Sequence, residues 1–317
     1  MNALVQDRQN PGGDVVSRRV EGDLHRATLA ELAARARRVA GAFATAGLSR
    51  DDAVATLAWN GHRHLELAAA ADAAGLRFVP LDPRGHPDEI VRAADAAGAR
   101  ALFFDLTFMP LVEEIGPRLA SVRTFIAMTD RADMPGPGAI PNLLCYEDLV
   151  ACRREAADPI TETPSFISAA APEADLRRED IVLAAVPLFH RDGRDLVHAA
   201  LAVGARLVLP GPWLDGRSLH RLVDREGVTV IAARPLIWQG LLAHLEREGA
   251  GLPSVRRAIV DGESSLPNVR PRALGDGPDA PTPHPPAAPP LGRGGARGTA
   301  PRVASRRSHG RHRGTAK

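Results

Sequence analysis

Aromatic residues make up only 4% of this 317-residue chain, so alanine, leucine and valine must fill most of any interior. Lysine is almost missing. Lys317 is the single one, and every other basic residue apart from histidine is arginine. Two cysteines, Cys145 and Cys152, are separated by six intervening residues, with no second pair. That pattern matches no zinc or redox spacing, and incidental or buried thiols are expected. No stretch approaches ~18 uninterrupted apolar residues, and the opening MNALVQDRQNPGGD has no apolar core of the signal-peptide type. The expectation is a cytoplasmic chain without a membrane span. A formal charge of +2 argues neither for nor against an anionic partner until its distribution along the chain is examined.

What is present is ordinary for a globular interior: 44% hydrophobic and 25% charged residues. From residue 26 to about 260 helix-like and strand-like segments alternate. The helix TLAELAARARRVAGAFATAG opens with a capping box, Thr28 answered by Glu31. AVATLAW is a continuous apolar run of the kind covered on both faces. LRFVPLD, ARALFFD, RTFIAM, DIVLAAVP, ARLVLP, VTVIAA and RRAIV read as further strands, with helical segments between them. This alternation predicts an α/β fold of parallel sheets flanked by helices.

The expected division is a flexible N-terminus at 1–25, a first α/β subdomain at 26–150, a second at 151–268 and a disordered tail at 269–317. From Pro271 to Lys317 there are nine Pro, eight Gly and eight Arg against two Asp. Such a segment cannot bury enough apolar surface to order itself. Its charge resembles a nucleic-acid-binding arm, but it has no aromatic residue for stacking bases, so no specific nucleic acid is expected as partner. Its composition is also what a GC-rich coding sequence yields in a shifted frame.

Several stretches, VATLAWNGHRHLEL, FVPLDPRGHPDEI, LFFDLTFMPLVEEI, NLLCYEDL, VLAAVPLFH, GARLVLPGPWLDG and EGVTVIAARPLIWQGLL, resemble the N-terminal region of adenylate-forming enzymes. The resemblance is to the AMP-forming acyl-CoA synthetases, in their fatty-acyl-CoA ligase branch, and spans roughly 240 residues in the family's order. It implies a partial N-terminal domain of that fold. It also implies descent from enzymes that use ATP, Mg2+ and CoA, converting a fatty acid to an acyl-adenylate and then to a thioester.

The resemblance assigns an acyl-pocket position to His190, at the end of VLAAVPLFH, with Trp238 and Gly262 as further wall positions. By its residues alone His190 reads as a histidine at a strand end, before a polar turn, and Gly262 as a turn glycine. Trp213 and Trp238 read as packing groups. His62, Arg63 and His64 read as a solvated helix start, because residues two apart on a helix diverge. Asp82, Asp105 and Asp130 read as strand-end and turn residues.

Where the family carries a Gly/Ser/Thr-rich phosphate loop, this chain reads SAAAPEADLRRED, with no Gly, no Lys and four acidic residues. A Gly-poor acidic connector can neither wrap phosphates nor attract them. A deletion near 169–175 joins SFIS almost directly to Asp180. Arg194 stands where the branch has an aromatic group, and Asp261 replaces the first glycine of a Gly-Gly turn. The YGxTE segment and the catalytic lysine also have no counterpart.

The expected function is that of an incomplete, catalytically inactive fatty-acyl-CoA ligase homologue. It has no catalytic residue, phosphate loop or metal ligand and binds no cofactor; its expected partner is at most a fatty acid. The alternatives are an active medium- or long-chain ligase with an atypical phosphate site, and a non-catalytic acyl-binding or partner module.

Overall fold

Apolar runs that must be covered on both faces determine the layers of this protein. The computed structural model describes residues 15–136, 138, 140–151 and 176–260. Gly262, Cys152, the SFIS segment and the basic tail lie outside these residues.

One sheet is built from β3 (Ala53–Leu57), β4 (Arg77–Pro80), β5 (Ala99–Phe104), β6 (Thr124–Ala127) and β7 (Leu144–Cys145), ordered β4-β3-β5-β6-β7 and parallel throughout. The other comprises β1 (Val15–Arg18), β2 (Leu24–Ala27), β8 (Ile181–Ala185), β9 (Arg206–Leu209), β10 (Val230–Ala233) and β11 (Arg257–Val260). Its order is β11-β10-β8-β9-β1-β2, with β2 alone antiparallel among the described strands.

Helices fill the layers around the sheets. They are α1 (Leu29–Ala42), α2 (His62–Ala74), α3 (Pro87–Ala96), α4 (Met109–Ile115), α5 (Tyr146–Ala151), α6 (Arg191–Val203), α7 (Gly216–Glu226) and α8 (Pro235–Glu248). On the first sheet, Val54, Ala101 and Phe103 pack with α1, α2 and α5, while Ala55, Leu102 and Phe104 pack with α3 and α4. On the second, Val182, Ala184 and Leu207 pack with α6, Leu32 of α1 and Leu65 of α2. Its reverse face, with Leu183, Val208 and Ile231, packs with α7 and α8. Helices α1 and α2 thus contribute to the cores of both sheets. The capping box forms as read: Thr28 N donates to Glu31 Oε2 at 2.8 Å and Glu31 N to Thr28 Oγ1 at 3.1 Å.

Two expectations change. The segment expected to be flexible before residue 26 contributes β1 and β2 to the second sheet. Val15 and Val16 are fully buried there, β1 pairing with β9. The N-terminal strands therefore belong to the sheet of the second block, and both blocks fall within one compact unit. The expected polar turn after His190 is instead the first turn of α6. It can form because Gly193 lies against the loop: a Cβ there would come within 2.3 Å of the Pro187 carbonyl oxygen.

Candidate functional site

In a parallel sheet ligands gather beyond the carboxyl ends of the strands. The ends of β8, β10 and β11 lie in register, with Ala185, Ala233 and Val260 as neighbours. The loop Val186-Pro187-Leu188-Phe189-His190 leaves this edge from β8. It is held by a residue from the other sheet's side of the molecule. Asn60 donates through Nδ2 to the carbonyls of Ala184 (2.8 Å) and Val186 (2.6 Å), and its Oδ1 accepts the Leu188 N–H at 3.0 Å. Asn60 was not singled out in the sequence. Its place in Trp-Asn-Gly, between an apolar strand and a helix, was the available signal.

His190 occupies the N-cap of α6 and is exposed, with no side-chain capping bond. Its ring lies 4.7 Å from that of Phe189, over which the Arg84 guanidinium sits at 5.1 Å. Trp238 is fully buried, and its Nε1 donates to the Ile259 carbonyl at 3.1 Å. It packs on the α7–α8 face of the sheet, while α6 covers the opposite face. The two positions share an edge of the sheet but face away from each other. Trp213 is a partly exposed packing group, with Arg18 stacked over its ring at 4.7 Å. Arg194, standing where the branch has an aromatic group, is hydrogen-bonded: Nη1 donates to the carbonyls of Leu188 (3.2 Å) and Phe189 (3.0 Å).

The reading of His62, Arg63 and His64 as a solvated helix start is overturned. All three are buried, at 3%, 5% and 3% exposure. The reason lies in α2, whose start is enclosed by other elements rather than by water. Arg63 donates to Asp130 (2.6 Å), Glu147 (2.9 Å), Glu21 (3.1 Å) and the Met128 carbonyl (3.0 Å). Asp130 is therefore part of a charge network, with Arg19 as its second partner at 2.6 Å. His62 stacks on His25 at 3.8 Å, and burial lowers the pKa of both rings, of His62 the more strongly.

His25, His62 and Glu66 bring three ligand atoms within 4.8 Å of one another. They fit a metal poorly. Glu66 already accepts from Arg35 (2.6 Å) and Tyr146 (3.0 Å), and face-to-face imidazoles cannot both aim their in-plane lone pairs at one ion.

Asp105 is a second correction to an ordinary turn residue. It is 7% exposed, and its Oδ2 accepts the Trp59 N–H at 2.7 Å. Burial raises its pKa to about 7 despite that bond. A carboxyl raised from its unfolded value stabilises the fold while protonated, and that contribution is lost as pH rises from about 4 to about 7. Asp105→Asn should keep an acceptor for Trp59. Relative to the parent it gains up to about 1.4 kcal/mol per pH unit across that window. Urea unfolding at pH 5 and pH 8 measures this; an unchanged difference between the two proteins would count against a neutral Asp105.

A family model described as AMP-binding enzyme matches residues 5–141 and 160–280. The 3-methylmercaptopropionyl-CoA ligase of Ruegeria lacuscaerulensis is 33% identical over 81% of this chain and 53% of its own length. The long-chain-fatty-acid–CoA ligase of Thermus thermophilus is 36% identical over 80% of this chain and 50% of its own. The chain thus spans about half the length of the curated relatives it matches. Among solved structures, a Brucella canis acyl-CoA synthetase superposes with a TM-score of 0.65 at 18% identity, covering 84% of this chain and 52% of that one. An anthranilate CoA ligase in complex with anthranoyl-AMP gives 0.64 at 19%, covering 77% and 51%. These two likenesses establish the fold.

Proposed function

This chain belongs to the AMP-binding enzyme family, and we propose that it is a ligase-derived protein that does not form acyl-adenylates. The carrying observation is the interval from Ser168 to Asp180, which holds neither glycine nor lysine and four carboxylates. The residues present do not fit the phosphates of ATP.

One carboxylate of that interval, Asp180, is committed to other bonds. Asp180 is 1% exposed and accepts from Arg177 N (2.7 Å), Thr229 Oγ1 (2.8 Å) and Arg256. It stands at the amino end of β8, whereas His190 follows the carboxyl end. The five-residue strand between them is about 16 Å long.

The resemblance puts an acyl group beside His190, Trp238 and Gly262. The two described positions are an exposed N-cap and a buried packing group, an arrangement that supports a vestigial role for both. Any fatty acid held by this chain is then a residual ligand and not a substrate.

Equilibrium binding of Mg·ATP to the folded chain tests the proposal. No saturation into the millimolar range is expected, and saturable binding would oppose it. His190→Ala should change stability by no more than about 0.5 kcal/mol, as for other exposed side chains. It should also leave decanoate binding unaltered; a lowered affinity would restore His190 as an acyl contact.

A further inference from the structure

Helices α7 and α8 cover the face of the second sheet that is turned away from α6. They approach closely at a glycine: a Cβ on Gly216 would come within 2.3 Å of the Gly240 carbonyl oxygen and 2.7 Å of His244 Cβ. One turn further along α7, the approach brings two imidazoles together, His220 Nδ1 lying 3.2 Å from His244 Nε2. The other nitrogen of His220, Nε2, lies 3.2 Å from Asp224 Oδ2, one more turn along the same helix. His220, Asp224 and His244 fall outside every segment that carries the family resemblance.

The chain of contacts assigns the protons of the neutral pair. A carboxylate can only accept, so His220 carries its proton on Nε2 and turns the Nδ1 lone pair toward His244. His244 Nε2 then supplies the single proton between the rings. A metal ion can replace that proton. Two imidazole nitrogens, each about 2.0–2.1 Å from one tetrahedral ion, stand about 3.3 Å apart, which is close to the separation here. The ring planes meet at 62° with centroids 5.3 Å apart, so both in-plane lone pairs can converge on one point. The parallel rings of His25 and His62 cannot do this. On binding, His244 keeps its proton on Nδ1 instead, and no net proton is released.

The surroundings suit a cation. With Nδ1 on the ion, the His220 Nε2–H bond to Asp224 becomes the outer carboxylate contact that orients a metal-bound imidazole and raises its basicity. Asp224 is 54% and the His220 side chain 16% exposed, so the pair has a route to solvent. Gly240, in the turn before His244, is exposed, and a Cβ there would meet nothing within 4 Å. We propose that His220 and His244 bind a divalent transition ion of the Zn2+ class across α7 and α8, with Asp224 in the outer sphere and water completing the coordination. Nitrogen ligands select against Mg2+, which takes oxygen, so the site is independent of the adenylation question.

The test is calorimetric titration of the full chain with ZnCl2 at pH 7.5. The chain carries His284→Gln, His309→Gln and His312→Gln, which removes the competing histidines that lie outside the described residues. One equivalent of Zn2+ should bind saturably in the micromolar range, and millimolar Mg2+ should not compete. His220→Gln and His244→Gln should each abolish this phase, and Asp224→Ala should weaken it by about tenfold or more. In long-range 1H–15N spectra of the parent, Zn2+ should shift His220 Nδ1 and His244 Nε2, a response that a purely structural hydrogen bond would not give. No saturable binding by the folded parent, equal affinity in both histidine variants, or shifts confined to other histidines would each overturn the assignment. The titration and spectra of the parent decide the matter even if a variant fails to fold.

Discussion

Arg63→Met is expected to lower the stability of the chain by about 3–5 kcal/mol, the cost of removing one partner from a buried ionic cluster. Three carboxylates, Glu21, Asp130 and Glu147, converge on its guanidinium, together with the Met128 carbonyl. Without Arg63 they would face one another where water has limited access. Arg19 and Arg35 would remain as partial compensation, through Asp130 and Glu147. Partly neutralising the cluster should therefore restore part of the loss, so the triple change Arg63→Met, Asp130→Asn, Glu147→Gln should unfold later than Arg63→Met alone. An exposed pair is the control. Arg84→Ala, whose side chain is 50% exposed in its bridge to Asp82, should shift stability by at most about 1 kcal/mol. Urea midpoints at constant slope make the comparison. A small effect at Arg63 would mean that water reaches this cluster.

The second large effect is expected at Asn60. Asn60→Leu keeps the volume but leaves the carbonyls of Ala184 and Val186 and the N–H of Leu188 without their partner. At about 1–3 kcal/mol for each buried group left unsatisfied, a loss of about 3 kcal/mol or more follows. Asn60→Asp should be at least as damaging, since a carboxylate would oppose two carbonyl oxygens at under 3 Å. The loss has a local signature. The Leu188 amide should exchange with solvent faster, because its acceptor is gone. Unaltered exchange at Leu188 would show that Asn60 does not hold the loop.

These two residues also mark what could be read in advance and what could not. β3, β5, β8 and β10 were legible because each is a short apolar run covered on both faces, and that pattern needs no knowledge of partners. The capping box at Thr28 was legible because both halves of the contact lie within four residues. Arg63 was misread because its partners stand 42, 67 and 84 residues away, and local spacing on a helix says nothing of them. β1 was missed for a similar reason: Val15 and Val16 become strand residues by pairing with Leu207 and Val208, about 190 residues later. At the site, His190 was found by its sequence context, while its exposure depends on how α6 begins.

Pyrophosphate release tests the central claim most directly. The purified chain, shown by circular dichroism to be folded, is supplied with ATP, Mg2+, CoA and a panel of fatty acids. The account predicts no release above the level without fatty acid, since the interval before β8 has neither the glycines nor the lysine with which to hold phosphates. Release that depends on the fatty acid would show that this chain holds and cleaves ATP by another arrangement, and would contradict the account.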